Sequence, residues 1–283
     1  MFSNNLIRSI AKSSNEDNLK LSKDDWFHVI EANKNFTELP EAWKGDRLWG
    51  KILLNRLERF KSNNFNNSLE LCCGNGFSYF SLREIVDFDK ECYFMDLSRN
   101  QLNDFEERCL KQSVPMPNII YGDIGEIPFP DSNFNVVHAH SYLHHLPDVG
   151  LYFDEVLRVL KDGGHYYAFH EPTPSAPILE TFPRSLYKDI ESDGGSLTDI
   201  WLIKPDVIEK IMLSRGFSEV HIFPTGIFFN ILITPIQLIF FKLGFGNNKF
   251  FTFMKLILEK IERLLPMRFR KRYCPSLCIV GIK

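Results

Sequence analysis

Between residues 68 and 170 the chain alternates short apolar runs with longer amphipathic ones. The run at 68–71 predicts a strand, the turn Cys72-Cys73-Gly74-Asn75-Gly76 follows it, and 77–86 reads as a helix. A second strand at 91–97 ends near Asp96, and Ser98 is placed to cap a helix reaching residue 112. Strands are expected again at 118–121 and 133–140. A helix over 151–160 then stops at Asp162-Gly163-Gly164 and feeds a strand at 165–170. Such alternation implies right-handed crossovers and an α/β, doubly wound, Rossmann-like parallel sheet with helices on both faces. Ligands of these sheets bind at the carboxyl ends of the strands, where strand order reverses. Residues 70–76, Asp96, Asp123 and residues 140–145 are therefore expected on one edge.

The flanks are less regular. Trp43, Leu48, Trp49, Ile52, Leu53, Leu57 and Phe60 recur at helical spacing, with charged residues assigned to the opposite face. With a short helix at 24–33, they define an N-terminal helical cover over 1–60. Pro172, Pro174, Pro177 and Pro183 break the segment after the fifth strand. A helix at 205–215, a stop at Gly216 and a strand at 217–223 resume the pattern. Residues 226–241 are the most apolar stretch, but 16 residues interrupted by Asn230, Pro235 and Gln237 fall short of the roughly 20 that span a bilayer. An amphipathic helix at 250–265, the cations Arg268, Arg270, Lys271 and Arg272, and a strand at 277–282 complete the chain. The expected division is a cover at 1–60, a ligand-binding domain from 61–223 and 276–283, and a helical insertion at 224–275.

Composition narrows the class. With 44% hydrophobic and 24% charged residues, the 283-residue chain is neither disordered nor disulfide-dense. Its six cysteines have no Cys-x-x-Cys or zinc-ligand spacing, so they read as free thiols of a reducing compartment. Residues 1–20 offer no continuous apolar leader segment, which makes a cytoplasmic location the expectation. Net charge is −3, yet residues 242–283 carry ten Lys or Arg against Glu259 and Glu262, net +8, leaving −11 for the rest. A basic tail on an acidic body does not suit nucleic acid. It suits a peripheral contact with an anionic membrane, while a lid or a dimer contact are the other readings of 226–272.

Chemistry enters through Asp96, 20 residues past Gly76. A carboxylate there can accept from both hydroxyls of a ribose, in a nicotinamide cofactor or in S-adenosylmethionine. The glycines separate the two, because Tyr79 stands where a dinucleotide fingerprint needs its third Gly. The run Glu70-Leu71-Cys72-Cys73-Gly74-Asn75-Gly76 resembles the first motif of class I S-adenosylmethionine-dependent methyltransferases of the small-molecule, sugar and lipid branch. So do, in order, Asp96, Gly122-Asp123-Ile124 with Ile127-Pro128-Phe129, Phe134-Asn135-Val136-Val137, Leu143-His144-His145-Leu146, and Glu155 through Gly164. The resemblance covers about 65–172. It implies a seven-stranded sheet whose last strand is antiparallel, with S-adenosyl-L-methionine as cofactor. Glu70, Cys72, Gly74, Asn75 and Gly76 would face its methionine part, Asp96 its ribose, and Asp123, Ile124 and Leu97 its adenine, with His140 beside them. One departure stands out: Cys72 replaces the family's first glycine.

The resemblance implies methyl transfer to a small-molecule or lipid-linked acceptor, with oxygen the expected acceptor atom. Histidine is the usual base for a hydroxyl near neutral pH. His170, Glu171 and His144 are the candidate catalytic residues, and no metal is expected. A nicotinamide-dependent oxidoreductase and a non-catalytic membrane-surface protein are the alternatives, separable by titration with NADH and by cofactor-independent liposome binding.

Overall fold

The computed structural model describes residues 45–62, 64–88, 91–146, 148–173, 204–242 and 249–283. The helix expected at 24–33, Trp43, and the prolines at 174, 177 and 183 lie outside them. Seven strands form one sheet in the order β3-β2-β1-β4-β5-β7-β6. Strands β1 (Ser68–Leu71), β2 (Tyr93–Asp96), β3 (Asn118–Tyr121), β4 (Phe134–Ala139) and β5 (Leu160–Pro172) are parallel neighbours. Strand β7 (Ser276–Ile282) runs antiparallel between β5 and β6 (Glu219–Thr225). This is the α/β, Rossmann-like sheet that the alternation and the resemblance implied.

Three of the described helices start where the sequence supplies a side-chain cap. Asp46 Oδ1 accepts from the amides of Leu48 and Trp49, both at 2.9 Å, to open α1 (Arg47–Arg56). Helix α2 (Phe77–Leu82) follows the glycine turn, and Ser98 caps α3 (Arg99–Lys111). Asp148 caps α4 (Val149–Val159), while Pro205 opens and Gly216, at φ +119°, closes α5 (Pro205–Arg215). Helices α4 and α5 bury Phe153, Val156, Ile208 and Met212 on one face of the sheet. Helix α1 covers the other face through Leu53, Leu54 and Leu57 against Phe65, Tyr167 and Phe169. Strands β1 and β4, covered on both sides, are therefore near-continuous buried runs.

Several boundaries differ from expectation: the helix expected at 151–160 is Val149–Val159, the strand expected at 217–223 is Glu219–Thr225, and the helix expected at 250–265 ends at Glu262. Helix α2 ends at Leu82, not residue 86. Asp162-Gly163-Gly164 does not separate α4 from the fifth strand: Leu160 already pairs with Phe134, so the glycines form a bulge inside β5, with Gly163 at φ +71°. After β6 comes a π-turn (Phe229–Ile233), then α6 (Thr234–Lys242), α7 (Lys249–Glu262) and α8 (Met267–Tyr273). Among the described residues, no helix is long and apolar enough to cross a membrane.

Candidate active site

Register fixes the site. Ile120, Met95, Leu71, Ala139 and Ala168 lie in one row across five strands. At this row β1 and β4 end, β2 and β3 run on by one residue, and β5 continues along β7 to Pro172, so the positions just past it line the carboxyl edge of the sheet. There the structure gathers Glu70 to Gly76, Asp96 and Leu97, Asp123 and Ile124, His140 and His144, and His170 and Glu171. Strand order reverses between β1 and β4, directly beside the glycine turn.

The turn is built from left-handed residues. Cys72 has φ +54°, Gly74 +52° and Gly76 +82°. A Cβ at Gly76 would come within 2.4 Å of the Phe105 ring, so packing as well as conformation requires glycine there. The departure at Cys72 thus places a side chain in a conformation that costs roughly 1–2 kcal/mol for a non-glycine residue. Its thiol meets the Tyr142 hydroxyl, and burial, with the nearby Asp96 charge, pushes its pKa well above the ordinary range. Cys72 is therefore a neutral thiol and no nucleophile.

Asp96 holds this turn as well as ending β2. Its Oδ2 accepts from the Gly74 amide and its Oδ1 from the Ser98 amide, both at 2.8 Å. Burial raises its pKa against the pull of those amides. Arg108 Nη1 donates to the Asn75 carbonyl at 2.6 Å and fixes the far side of the turn. Asp123 Oδ1 accepts from the Gly125 amide at 2.8 Å, and Ile124 packs on the core beneath.

Glu70 gives the clearest test of fit. It is buried, its Oε2 has no hydrogen-bond partner among the described residues, and burial pushes its pKa up to about 8, with Asp96 adding repulsion. A buried carboxyl group with one oxygen unpaired and the Ser78 hydroxyl as its neighbour, beside three left-handed turn residues, matches a cationic amino-acid moiety, and Asp96 matches a diol. The residues present fit S-adenosylmethionine.

On the acceptor side, Phe77, His140 and His170 form a row of rings. Phe77 and His140 are 4.5 Å apart at 34°, and His140 and His170 are 5.9 Å apart at 21°. Burial lowers the pKa of His140 to about 3 and that of His170 well below its ordinary value, with Arg56 lowering both further. Arg56 Nη1 lies 3.3 Å from His170 Nδ1. A guanidinium can only donate, so Nδ1 accepts and the proton of the neutral ring sits on Nε2. His170 thus carries an N–H donor, and Arg56 is the residue that fixes it.

Glu171 and His144 form a buried pair. Glu171 Oε2 contacts His144 Nδ1 at 3.0 Å, and its Oε1 accepts from the Tyr142 amide at 2.8 Å. Both carboxylate oxygens hold the loop after β4.

Arg56, Arg108 and Tyr142 touch the site residues, and the sequence pattern does not single them out. Its charge alone assigns the first to the solvated face of its helix, but it is 1% exposed and bridges Glu259. A signal exists: Arg56 falls at helical spacing with Ile52, Leu53, Leu57 and Phe60, inside the apolar stripe.

Comparison with known proteins gives the same answer for this stretch. The family described as "Methyltransferase domain" matches residues 69–168. A demethylmenaquinone methyltransferase of Anoxybacillus flavithermus is 29% identical over 134 residues, 47% of this chain and 55% of that protein. The chain spans about half the length of the curated relatives it matches. A phosphoethanolamine N-methyltransferase 2 of Haemonchus contortus, solved with S-adenosyl-L-methionine, superposes with a TM-score of 0.57 at 17% identity, over 91% of this chain and 56% of that one. A SAM-dependent methyltransferase of Archaeoglobus fulgidus gives 0.54 at 16% identity, over 86% and 97%. At these identities the two structures show a shared fold. The matched stretch contains β1 to β4, most of β5 and the cradle between them, and it is a class I S-adenosylmethionine-dependent methyltransferase domain.

Proposed function

We propose that the chain transfers a methyl group from S-adenosylmethionine to an oxygen of a small or lipid-linked acceptor that carries a flat, acidic ring. The observation behind this reading is the ring row Phe77, His140 and His170, with a donor N–H fixed on His170 by Arg56. When bound, S-adenosylmethionine supplies the sulfonium methyl. Glu70, Cys72, Gly74, Asn75 and Gly76 hold its methionine end, Asp96 its ribose, and Leu97, Asp123 and Ile124 its adenine, with His140 at the border of the two ligands.

Burial lowers the basicity of both His140 and His170, which favours an acceptor more acidic than an alcohol. The acceptor hydroxyl is therefore a phenol or enol type that gives its proton to solvent. His170 Nε2–H then donates to the resulting oxyanion and stabilises it in a partly dehydrated site. The oxygen–methyl bond forms as the sulfur–methyl bond breaks. Glu171 and His144 act through the loop they hold, placing Tyr142 and His140. The curated relatives are named for a demethylmenaquinone, and of such a ring only the reduced quinol carries the hydroxyl that this reaction needs.

Incubating the full chain with S-adenosylmethionine and lipid or quinol extracts, followed by mass spectrometry, is expected to show a gain of one methylene unit on an oxygen. Methylation on carbon or nitrogen would refute the oxygen assignment. Cofactor binding with no acceptor methylated in any extract would refute the reaction.

A further inference from the structure

Helix α7 is inside out. Its buried face carries Thr252, Lys255, Glu259 and Glu262 beside Phe251 and Leu258, while Phe250, Phe253 and Ile261 are 56%, 50% and 45% exposed on the opposite face. These apolar residues, with Leu264 just beyond the helix, follow a 3.6-residue period, so they form one stripe. Leu232, Ile236 and Ile239 extend the exposed apolar surface along the π-turn and α6, and Met267 and Phe269 add to it on α8. Exposed apolar surface of this extent marks an interaction site.

The charges say what kind. Between 226 and 273 the acids are Glu259 and Glu262, and both are buried and bonded internally. Lys249, Lys260, Arg268 and Arg272 are exposed. This surface therefore presents apolar side chains and positive charge with no exposed acid of its own, although Asp206 and Glu209 of α5 neutralise Lys271 at its edge.

We infer that the exposed face of residues 231–240 and 249–273 docks on the surface of an anionic lipid bilayer, sinking its apolar stripe to the headgroup boundary while its cations meet lipid phosphates. Helices of this composition lie in the interface plane and do not span it. The docked helix is one residue from the site: Arg56 reaches Glu259 with two hydrogen bonds, of 3.0 and 2.6 Å, and also contacts His170. This deepens the proposed lipid-linked acceptor by stating where the acceptor is met, and it rests on that reading only for this consequence.

The test is co-sedimentation of the full chain, without cofactor or acceptor, with vesicles of pure phosphatidylcholine or of equimolar phosphatidylcholine and phosphatidylglycerol. Binding is expected to the anionic vesicles, weakening with added salt. Phe253→Ser with Leu264→Ser is expected to weaken it more than about tenfold. Arg268→Ser with Arg272→Ser removes roughly fivefold per charge. Both variants should unfold at the wild-type temperature and bind S-adenosylhomocysteine as the wild type does. Absence of vesicle binding, equal binding to both vesicle types, or a dimer in light scattering that the Phe253→Ser, Leu264→Ser variant abolishes would overturn the inference. Methyl transfer to detergent-dispersed acceptor is read separately, so failure of docking and failure of the reaction are distinguishable.

Discussion

Helices α4 and α7 are both amphipathic, and they bury opposite halves of themselves. Helix α4 turns Tyr152, Phe153, Val156 and Val159 into the sheet and leaves Asp154 in solvent. Helix α7 turns Lys255, Glu259 and Glu262 inward and leaves Phe253 and Ile261 outside. The difference lies in the surface each one meets. An apolar sheet face waits under α4. Under α7 lie the Arg56 guanidinium, which takes Glu259 as a two-pronged partner, and the Gly226 and Phe228 amides, which donate to Glu262 at 2.7 and 3.3 Å. Periodicity shows that a helix has two faces. Only the partner decides which face is the inside.

The comparison can be broken at its two interiors, where the largest effects are expected. Phe153→Ala leaves a cavity under α4 and is expected to destabilise the protein by roughly 3–5 kcal/mol in denaturant unfolding. Arg56→Ala is expected to cost a similar amount, roughly 3–5 kcal/mol, by another route: Glu259 is left buried without its two-pronged hydrogen-bond partner, with only Lys255 at 3.7 Å among the described residues. The routes are distinguished by a double replacement. Arg56→Met combined with Glu259→Leu removes both charges and should restore most of the stability, whereas no second truncation repairs the Phe153 cavity. If Arg56→Ala is nearly neutral, α7 is not held by its charges.

A smaller effect follows from pH. Burial, with help from Arg56, lowers the pKa of Lys255 to about 8 from 10.5, against the opposing pull of Glu259 and Glu262. Between those values the unfolded chain keeps a proton that the folded chain has released, so stability gains with rising pH. Lys255→Met should therefore be more stable than wild type below pH 8, by about 2–3 kcal/mol. The gap should shrink as pH climbs from about 8 through 10.5. A gap that widens over that range would contradict a buried, charged Lys255. The smallest effect sharpens the contrast: Phe253→Ala, on the exposed stripe, is expected to change stability by no more than about 0.5 kcal/mol.

The sheet and the site edge are legible in the sequence because both are local patterns. Short apolar runs, the glycine turn, and carboxylates at strand ends need no partner to be recognised, and Gly76 and Asp96 stand where spacing puts them. Cys72 stands out as a departure, and its left-handed backbone is the physical content of that mark. Arg56 and the orientation of α7 are not legible, since charge at an apolar-stripe position has meaning only once Glu259, 203 residues away, is placed against it. The bulge at Gly163 and Gly164 is hidden because pairing of Leu160 with Phe134 is a register fact, not a composition fact. The His170 tautomer likewise depends on a contact from outside its own strand.

Everything on the acceptor side presupposes the cofactor at the ends of β1, β2 and β3. Isothermal titration of S-adenosylmethionine into the full chain and into Asp96→Ala tests this most directly. The expected result is a single site in the wild type, a loss of about tenfold or more in the variant, and no binding of NADH. A wild-type chain that is folded yet binds no S-adenosylmethionine, or a variant that binds it equally well, would contradict the assignment of this edge.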